Sequence, residues 1–352
     1  MTPDQQNRSR VYIVLVNWNG WADTLECLES LLHSDYPDFR VVVCDNGSTD
    51  GSLDAIKSWA QGGLIPDEPR SVMLRALSVP PIAKPLAYVE YSRREAEEGG
   101  NGADYPLTIV RIDENLGFAG GNNVGIRFAL SRDDFAFVWL LNNDTLVTPQ
   151  TLSALTRRMA EKPRAGLCGS KLLFYQQPQV VQGLGGASYN KWLGTNRHLG
   201  YLSQADNLPV QVDVEAAMDY VIGASMLVSK RFLLEIGLMA EEYFLYFEEL
   251  DWAYRAHGRF SLAYAAESIV YHKEGSSAGS CDPARKSWSV DFFTIRSKLL
   301  FTWKFFPVSL PTVYAGLLCA LCNRIRRGQW DRVRMIIELA CSSRSRLLAL
   351  KQ

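Results

Sequence analysis

Residues Val138–Pro149, V-W-L-L-N-N-D-T-L-V-T-P, decide the fold. Four apolar residues make a buried strand, which stops abruptly at Asn142, Asn143 and Asp144. A carboxylate just past the C-terminal edge of a buried strand faces the crevice where open α/β sheets bind ligands. Hard divalent cations take oxygen ligands of this kind and can hold a diphosphate. Taken alone, N-N-D reads equally well as a polar turn closing a strand.

Upstream, the same pattern repeats. Val11–Val16 is a β-rich run ended by Asn17-Trp18-Asn19-Gly20, and Trp21–Ser34 has helical spacing through Leu25, Leu28, Leu31 and Leu32. Phe39–Cys44 is a second strand, closed by Asp45-Asn46-Gly47, and Leu53–Trp59 restarts a helix. This alternation predicts a parallel sheet with right-handed crossovers. Residues 62–105, rich in Pro and Gly, break the rhythm and read as an insertion, partly ordered around Leu86–Tyr91. Leu107–Ile112 resumes the sheet. The Gly-rich stretch Asn115–Asn123 reads as a loop before a helix over Val124–Leu130, and Phe135–Leu141 is the strand that ends in N-N-D. Beyond Gly166 the strands are short and the turns Gly-rich, down to a last strand at Ile269–His272 and a helix at Asp291–Phe305.

Of the 352 residues, 47% are hydrophobic and 21% charged, as in a folded globular protein. The net charge of −1 hides an asymmetry: Arg285–Gln352 carries 13 Lys and Arg against 3 Asp and Glu, on an acidic body. Apolar runs within that basic tail favour membrane phosphates over nucleic acid as its partner. Pro307–Cys322 is a nearly uncharged run of about 16 residues, short of the ~20 that span a bilayer. Seven scattered cysteines, Cys281 among them, suggest a reducing compartment. Cys319-x-x-Cys322 reads as packing, since it lacks a second pair or a nearby His. The polar N-terminus has no secretory pattern, so a cytoplasmic protein is expected.

Three strand ends thus carry Asp45, the Asn115–Asn123 stretch and Asp144. Asp45 can accept hydrogen bonds from a nucleoside. Glycines at 117, 120 and 121 admit close backbone approach to a ligand. They do not form a G-x-G-x-x-G after the first strand, which argues against a hydride-transferring dinucleotide enzyme. Each feature also has a plain structural reading, as a turn or a helix start. A fourth element, Glu241–Trp252, sets acids among aromatics, an environment that lifts a carboxylate toward the pKa of a general base. The plain alternative is a helix N-terminus, where the dipole favours acids.

Together these pieces resemble a family-2 glycosyltransferase of GT-A fold, in the group that includes bacterial rhamnosyltransferases. The resemblance rests on V-L-V-N-W-N-G, V-V-V-C-D-N-G-S-T-D-G-S, N-L-G-F-A-G-G-N-N-V-G, L-L-N-N-D-T, Y-V-I-G-A-S-M-L-V, Y-F-L-Y-F-E-E-L-D-W and V-Y-H-K, in family order over roughly residues 10–305. It implies an α/β fold: a Rossmann-like mixed sheet of GT-A type flanked by helices, with a C-terminal helical tail. Residues 1–150 would be the nucleotide-sugar half and 151–306 the acceptor half. Residues 307–352 would be an amphipathic tail, either packed on the body or on a membrane.

By position, the resemblance implies that Asn17 and Asp45 hold the nucleoside. Asn115, Gly117, Gly120, Gly121 and Asn122 would line the donor site, with Asn142 and Asn143. Asp144 and His272 would bind Mg2+ or Mn2+. Glu249 would be the base, with Asp251 in reserve. Two positions depart from the family pattern: Asn142 replaces a carboxylate of D-x-D, and Glu249 replaces an Asp. The implied reaction is inverting transfer of a sugar, rhamnose from dTDP-rhamnose by resemblance, from a dTDP- or UDP-linked donor. The acceptor would be a glycan or lipid-linked saccharide in bacterial surface-polysaccharide synthesis, at the inner face of the cell membrane, by a monomer or a homo-oligomer. The competing classes are a non-catalytic sugar-nucleotide or glycan-binding protein on a degenerate scaffold, and a nucleotidyltransferase. The latter should carry a basic residue in the loop after the first strand, which Asn17–Gly20 lacks.

Overall fold

The computed structural model describes residues 9–67, 69, 71–273 and 287–350, so Cys281, Arg285 and Lys286 lie outside the described residues. The first half runs β1 (Val11–Asn17), α1 (Trp21–Leu31), β2 (Phe39–Asn46), α2 (Ser52–Gln61), α3 (Val72–Arg75), β3 (Tyr88–Ser92), α4 (Arg93–Glu97), β4 (Leu107–Ile112), α5 (Gly117–Arg132) and β5 (Phe137–Asn142). Then follow β6 (Thr145–Val147), α6 (Thr151–Glu161), β7 (Ala165–Phe174), β8 (Gln177–Leu184), β9 (Gly186–Asn190), β10 (Thr195–His198), α7 (Gln211–Ala216), β11 (Tyr220–Val221), β12 (Ser225–Ser229) and α8 (Lys230–Ile236). A 3-10 turn (Glu241–Tyr243), α9 (Glu248–Ala256) and β13 (Ser261–His272) lead to the tail. The tail holds α10 (Trp288–Phe305), α11 (Leu310–Arg326), α12 (Trp330–Ala340) and α13 (Arg344–Ala349).

The main sheet runs β3-β4-β2-β1-β5-β12-β7-β13-β6, with β8 paired to β7, and β10-β9-β11 form a second, small sheet. Strands β3 to β5 are mutually parallel, whereas β12 runs antiparallel to both its neighbours. β1 shows why the strands read as unbroken apolar runs. Tyr12 and Val14 enter one core layer, and Val11, Ile13 and Leu15 enter the other, so both faces are covered.

Three readings of the sequence change. The 62–105 stretch is not merely inserted, because Tyr88–Ser92 pairs in parallel with β4 as the sheet's edge strand. Glu29 of α1 anchors its loop, accepting from Trp59 Nε1 (2.7 Å) and Ile82 N (2.8 Å). The Gly-rich loop is helix from Gly117 onward. A Cβ on Gly121 would sit 2.8 Å from Val16 Cγ1, and one on Gly125 2.5 Å from Val14 Cγ1, so these glycines let α5 lie close on β1. In the tail, the helix runs on past the apolar segment to Arg326, giving 20 helical residues from Pro307. Cys319 and Cys322 are exposed there, not packed.

The tail forms a third core with the Glu241–Trp252 element. Phe292, Phe293, Phe301, Val313, Leu317, Met335, Ile336 and Leu347 close around Tyr243 and Leu250.

Candidate active site

The C-terminal ends of β1, β2 and β5 meet at one edge, with Asn17 opposite Asp45 and Val16 opposite Asn142. Asn17 Nδ2 donates to Asp45 Oδ1 (2.6 Å) and Ser48 Oγ (3.1 Å). Thr24 Oγ1 donates to Asn17 Oδ1 (2.8 Å), and Asn143 Nδ2 donates to Thr24 Oγ1 (2.9 Å). One buried polar network therefore ties three strand ends to α1. At its flank, Asn46 Nδ2 donates to Asn115 Oδ1 (3.0 Å) and Gly117 O (3.1 Å), fixing the turn before α5.

Past Asn143 the chain presents Asp144, and β13 brings His272 to it from far along the sequence, with His272 Nε2 3.1 Å from Asp144 Oδ1. Asn142 Nδ2 lies 3.4 Å from the same nitrogen. On the far side of the ring, His272 Nδ1 is 2.9 Å from Gln182 Oε1. With the Gln182 oxygen as acceptor, the ring proton sits on Nδ1 and Nε2 is left as a second acceptor facing the carboxylate. A cation placed between them would have a ligand on each side. The 3.1 Å separation is near the edge, about 3.0 Å, of an octahedron with bonds of about 2.1 Å. Gln182 stands where the orienting partner of a metal-binding His would stand. Among the described residues no third His, Cys, Asp or Glu joins them.

The acidic element separates into two kinds of carboxylate. Glu241 accepts from Asn123 Nδ2 (2.8 Å) and Arg127 Nη2 (2.9 Å). Although burial opposes it, these donors lower its pKa. Glu242 pairs with Lys304. Asp251 is fully buried, with Arg255 Nε (2.6 Å) on one oxygen, and Lys304 Nζ (2.6 Å) and Tyr243 OH (3.0 Å) on the other. Glu248 and Glu249 have no ion pair among the described residues. Burial raises the pKa of both, and for Glu248 the charge of Glu249 adds to it. A Cβ on Gly223 would lie 2.4 Å from Glu249 Oε1, so only glycine makes room for this carboxylate. The next residue, Ala224, accepts from Asn142 N (3.0 Å), which puts Glu249 beside the β5 end.

The backbone before Glu248 is strained. Phe244, Tyr246 and Phe247 all have left-handed φ (66°, 66° and 74°), a conformation costing non-glycine residues of the order of 1–3 kcal/mol each. Gly117, itself at φ 73°, lets the segment close: a Cβ there would meet Phe244 O at 2.2 Å, and Phe118 N donates to that oxygen (2.8 Å). From the tail, buried Arg296 donates through Nη1 to Tyr243 O (3.1 Å) and through Nε to Leu347 O (2.8 Å). Ser297 Oγ donates to Leu245 O (3.0 Å).

Asn17, Asp45, Asn115, Asn142, Asn143, Asp144, His272 and Glu249 therefore gather at one edge. Gly117, Gly120, Gly121 and Asn122 do not line it openly. They are buried in the first turns of α5, where Asn122 Nδ2 donates to Phe118 O (2.9 Å). Asp251 points away into its ion pairs. Sequence reasoning passed over Gln182, Thr24, Arg296 and Gly223. Only Gly223, inside Y-V-I-G-A-S, stood in a quoted motif.

The model of the family described as "Glycosyl transferase family 2" matches residues 12–75 and 89–220, more than half of the chain. The chain belongs to glycosyl transferase family 2. Among curated proteins, the family member is 26% identical over 142 residues to the low-salt glycan biosynthesis hexosyltransferase Agl10 of Haloferax volcanii, covering 40% of this chain and 43% of that one. It thus spans under half the length of that relative. Among solved structures, it is similar to the mannosyltransferase PcManGT from Pyrobaculum calidifontis in complex with GDP-Man and Mn2+. There the TM-score is 0.50 at 15% identity, over 95% of this chain and 86% of that one. It is also similar to GalNAc-T7 with UDP, GalNAc and Mn2+, with a TM-score of 0.56 at 13% identity over 97% and 56%. The family-2 chain has the GT-A fold, a mixed sheet flanked by helices with a helical C-terminal region.

Proposed function

We propose that this chain is an inverting glycosyltransferase that moves a hexosyl or deoxyhexosyl group from a nucleoside-diphosphate sugar to a hydroxyl of a glycan or lipid-linked saccharide. The observation that carries the reading is Glu249. It is a carboxylate without a paired cation among the described residues, raised in pKa by burial and set beside the strand end that bears Asn142 and Asp144. The hexosyltransferase relative supports the sugar class. The resemblance in the motifs supports rhamnose and a dTDP- or UDP-linked donor within it, and a place in bacterial surface-polysaccharide synthesis.

In this reading Glu249 takes the proton of the acceptor hydroxyl. The freed oxygen attacks the anomeric carbon from the side opposite the diphosphate. The carbon–oxygen bond to the diphosphate breaks, and the nucleoside diphosphate leaves with the electron pair. Asp45, held by Asn17, receives the nucleoside with Asn115. Asp144 and His272 would hold Mg2+ or Mn2+, with Asn142 alongside. A divalent cation there supplies positive charge to the leaving diphosphate, so no second carboxylic acid is needed.

The test is a panel of dTDP-, UDP- and GDP-sugars with Mn2+ or Mg2+, scored for donor hydrolysis and transfer. One donor turned over by the wild type and not by Glu249→Gln supports the reading. Nucleotide-sugar binding without turnover across the panel supports the degenerate-scaffold alternative.

A further inference from the structure

The tip of the small sheet and the outer face of α11 form one surface. Thr312 Oγ1 donates to Trp192 O (2.5 Å), which seats the β9–β10 hairpin on the start of α11. At that end Trp192, Leu193 and Val308 are 49%, 52% and 75% exposed. Along α11, Pro311, Ala315, Leu318, Cys322 and Ile325 follow one another at helical spacing on the exposed side. Trp330, 60% exposed, closes the row. α11 buries only Leu310, Val313 and Leu317. A helix against water carries polar residues on that side, and a contiguous apolar row marks a contact surface instead.

Charge selects the partner. The sequence has no Asp or Glu between Lys162 and Ala205, and none between Phe292 and Trp330. Exposed Lys191 stands beside Trp192, and exposed Arg326 and Arg327 end α11. A second copy docked face to face would bring like charge to like charge along most of the face, with exposed Asp331 beside Trp330 only at its end. Spanning is also disfavoured, since Arg324 Nη2 fixes α11 to Asp291 Oδ2 (2.6 Å) and its inner face fills the third core.

We propose that this face docks on an anionic lipid surface. Trp192, Leu193, Val308, Leu318, Ile325 and Trp330 enter the interface, and Lys191, Arg326 and Arg327 meet the headgroup phosphates. The small sheet also carries β11, and two residues past it Gly223 lies against the Glu249 carboxylate, so the sheet that bears Trp192 also reaches the proposed base. The acceptor class that follows, a saccharide borne on a membrane lipid, rests on the sugar-transfer reading; the docking does not.

The experiment is co-sedimentation of the full chain with phosphatidylcholine vesicles, with and without phosphatidylglycerol, over a salt series. Binding is expected to the anionic vesicles and to weaken as salt rises. Arg326→Glu with Arg327→Glu should weaken it at least about tenfold. Trp192→Ser with Ile325→Ser should weaken it on a second, salt-insensitive count. Equal sedimentation of wild type and both variants, or none by the wild type, overturns the proposal. So does a dimer in sedimentation equilibrium that the same variants dissolve. Donor hydrolysis in vesicle-free solution, run in parallel, should be unchanged in every variant. Its absence from all chains, wild type included, strikes the sugar-transfer reading and leaves the docking result standing.

Discussion

The two acid-bearing regions of the site are held by opposite means. At the strand ends, Asp45 accepts from Asn17, which Thr24 and Asn143 hold in turn, and Asp144 faces His272, whose ring is set by Gln182. In the Glu241–Asp251 segment the backbone is strained and ion pairs consume three of the five acids, leaving Glu248 and Glu249 without a cation among the described residues. The first arrangement suits a rigid receptor for a charged leaving group. The second suits a carboxylate that must take a proton, because a nearby cation would hold it ionised and weakly basic. Substitutions at six positions test that contrast.

The largest effect belongs to the strand end. Asp144→Ala removes the one carboxylate of the Asp144–His272 pair, and transfer should fall below detection while the melting temperature holds. Chelation should do the same to the wild type. Because two protein side chains make a thin cage, Mn2+ should bind weakly alone and far better with a nucleoside diphosphate present, which isothermal titration reads directly. Tight binding without nucleotide would mean that other residues complete the site. Gln182→Leu, which frees the His272 ring, should weaken metal affinity about 10–100-fold.

Next comes the base. Glu249→Gln should lower turnover about 10²–10⁴-fold with donor Kd unchanged. The wild-type rate should fall, as pH drops, through a pKa above the ordinary glutamate range, because burial raises it. Asp251→Asn should behave differently. It takes the charge from a fully buried carboxylate whose partners Arg255 and Lys304 are about a quarter exposed, and should appear first as lost thermal stability. A stable but inactive Asp251→Asn beside an active Glu249→Gln would reverse the assignment.

Arg296 sharpens the comparison, since it links α13 to the strained segment through Leu347 O and Tyr243 O. Arg296→Met should lower kcat about tenfold, a loss that a small misplacement of the reacting groups is enough to cause. It should leave the donor KM alone, because nothing at the strand ends depends on it. Arg296→Lys, which can still reach one carbonyl, should recover part of the rate. Equal changes in kcat and donor KM would mean that the tail supports the whole fold and not this segment.

The legibility of the molecule follows the same divide. Strand ends were readable because four apolar residues followed by Asn142-Asn143-Asp144 form a local signal, and parallel topology then carries them to one edge. The edge strand Tyr88–Ser92 was hidden in a Pro-rich stretch, and only its pairing with β4 reveals it. The helical start of α5 was hidden because glycine scores as loop. Its reason here, close packing on Val14 and Val16, is a tertiary one. Gln182 and Arg296 act on partners 90 and 51 residues away, where no spacing rule reaches. The acids of Glu241–Trp252 were visible as a cluster, but which of them is free to act depends on cations from α5, α9 and α10.

The smallest effect concerns Glu248, buried to 1% exposure with Oε2 lacking a hydrogen-bond partner among the described residues. Burial and the charge of Glu249 raise its pKa well above the ordinary value. The folded chain therefore holds this proton more tightly than the unfolded chain does. Its contribution to stability is full below the ordinary glutamate range and is lost as pH rises toward the raised value. Glutamine keeps the shape and cannot ionise, so Glu248→Gln should melt with the wild type in acid and above it in mild alkali. A gain of about 2–4 °C corresponds to roughly 1 kcal/mol in a chain of this size. Glu248 still holds its proton where Glu249 ionises, so the acid limb of the rate profile should stay in place in the same variant. A melting gap that widens toward acid, or an acid limb that moves, would show that Glu248 is already charged where Glu249 ionises. The contrast with the amide-held strand ends would then rest on Glu249 alone.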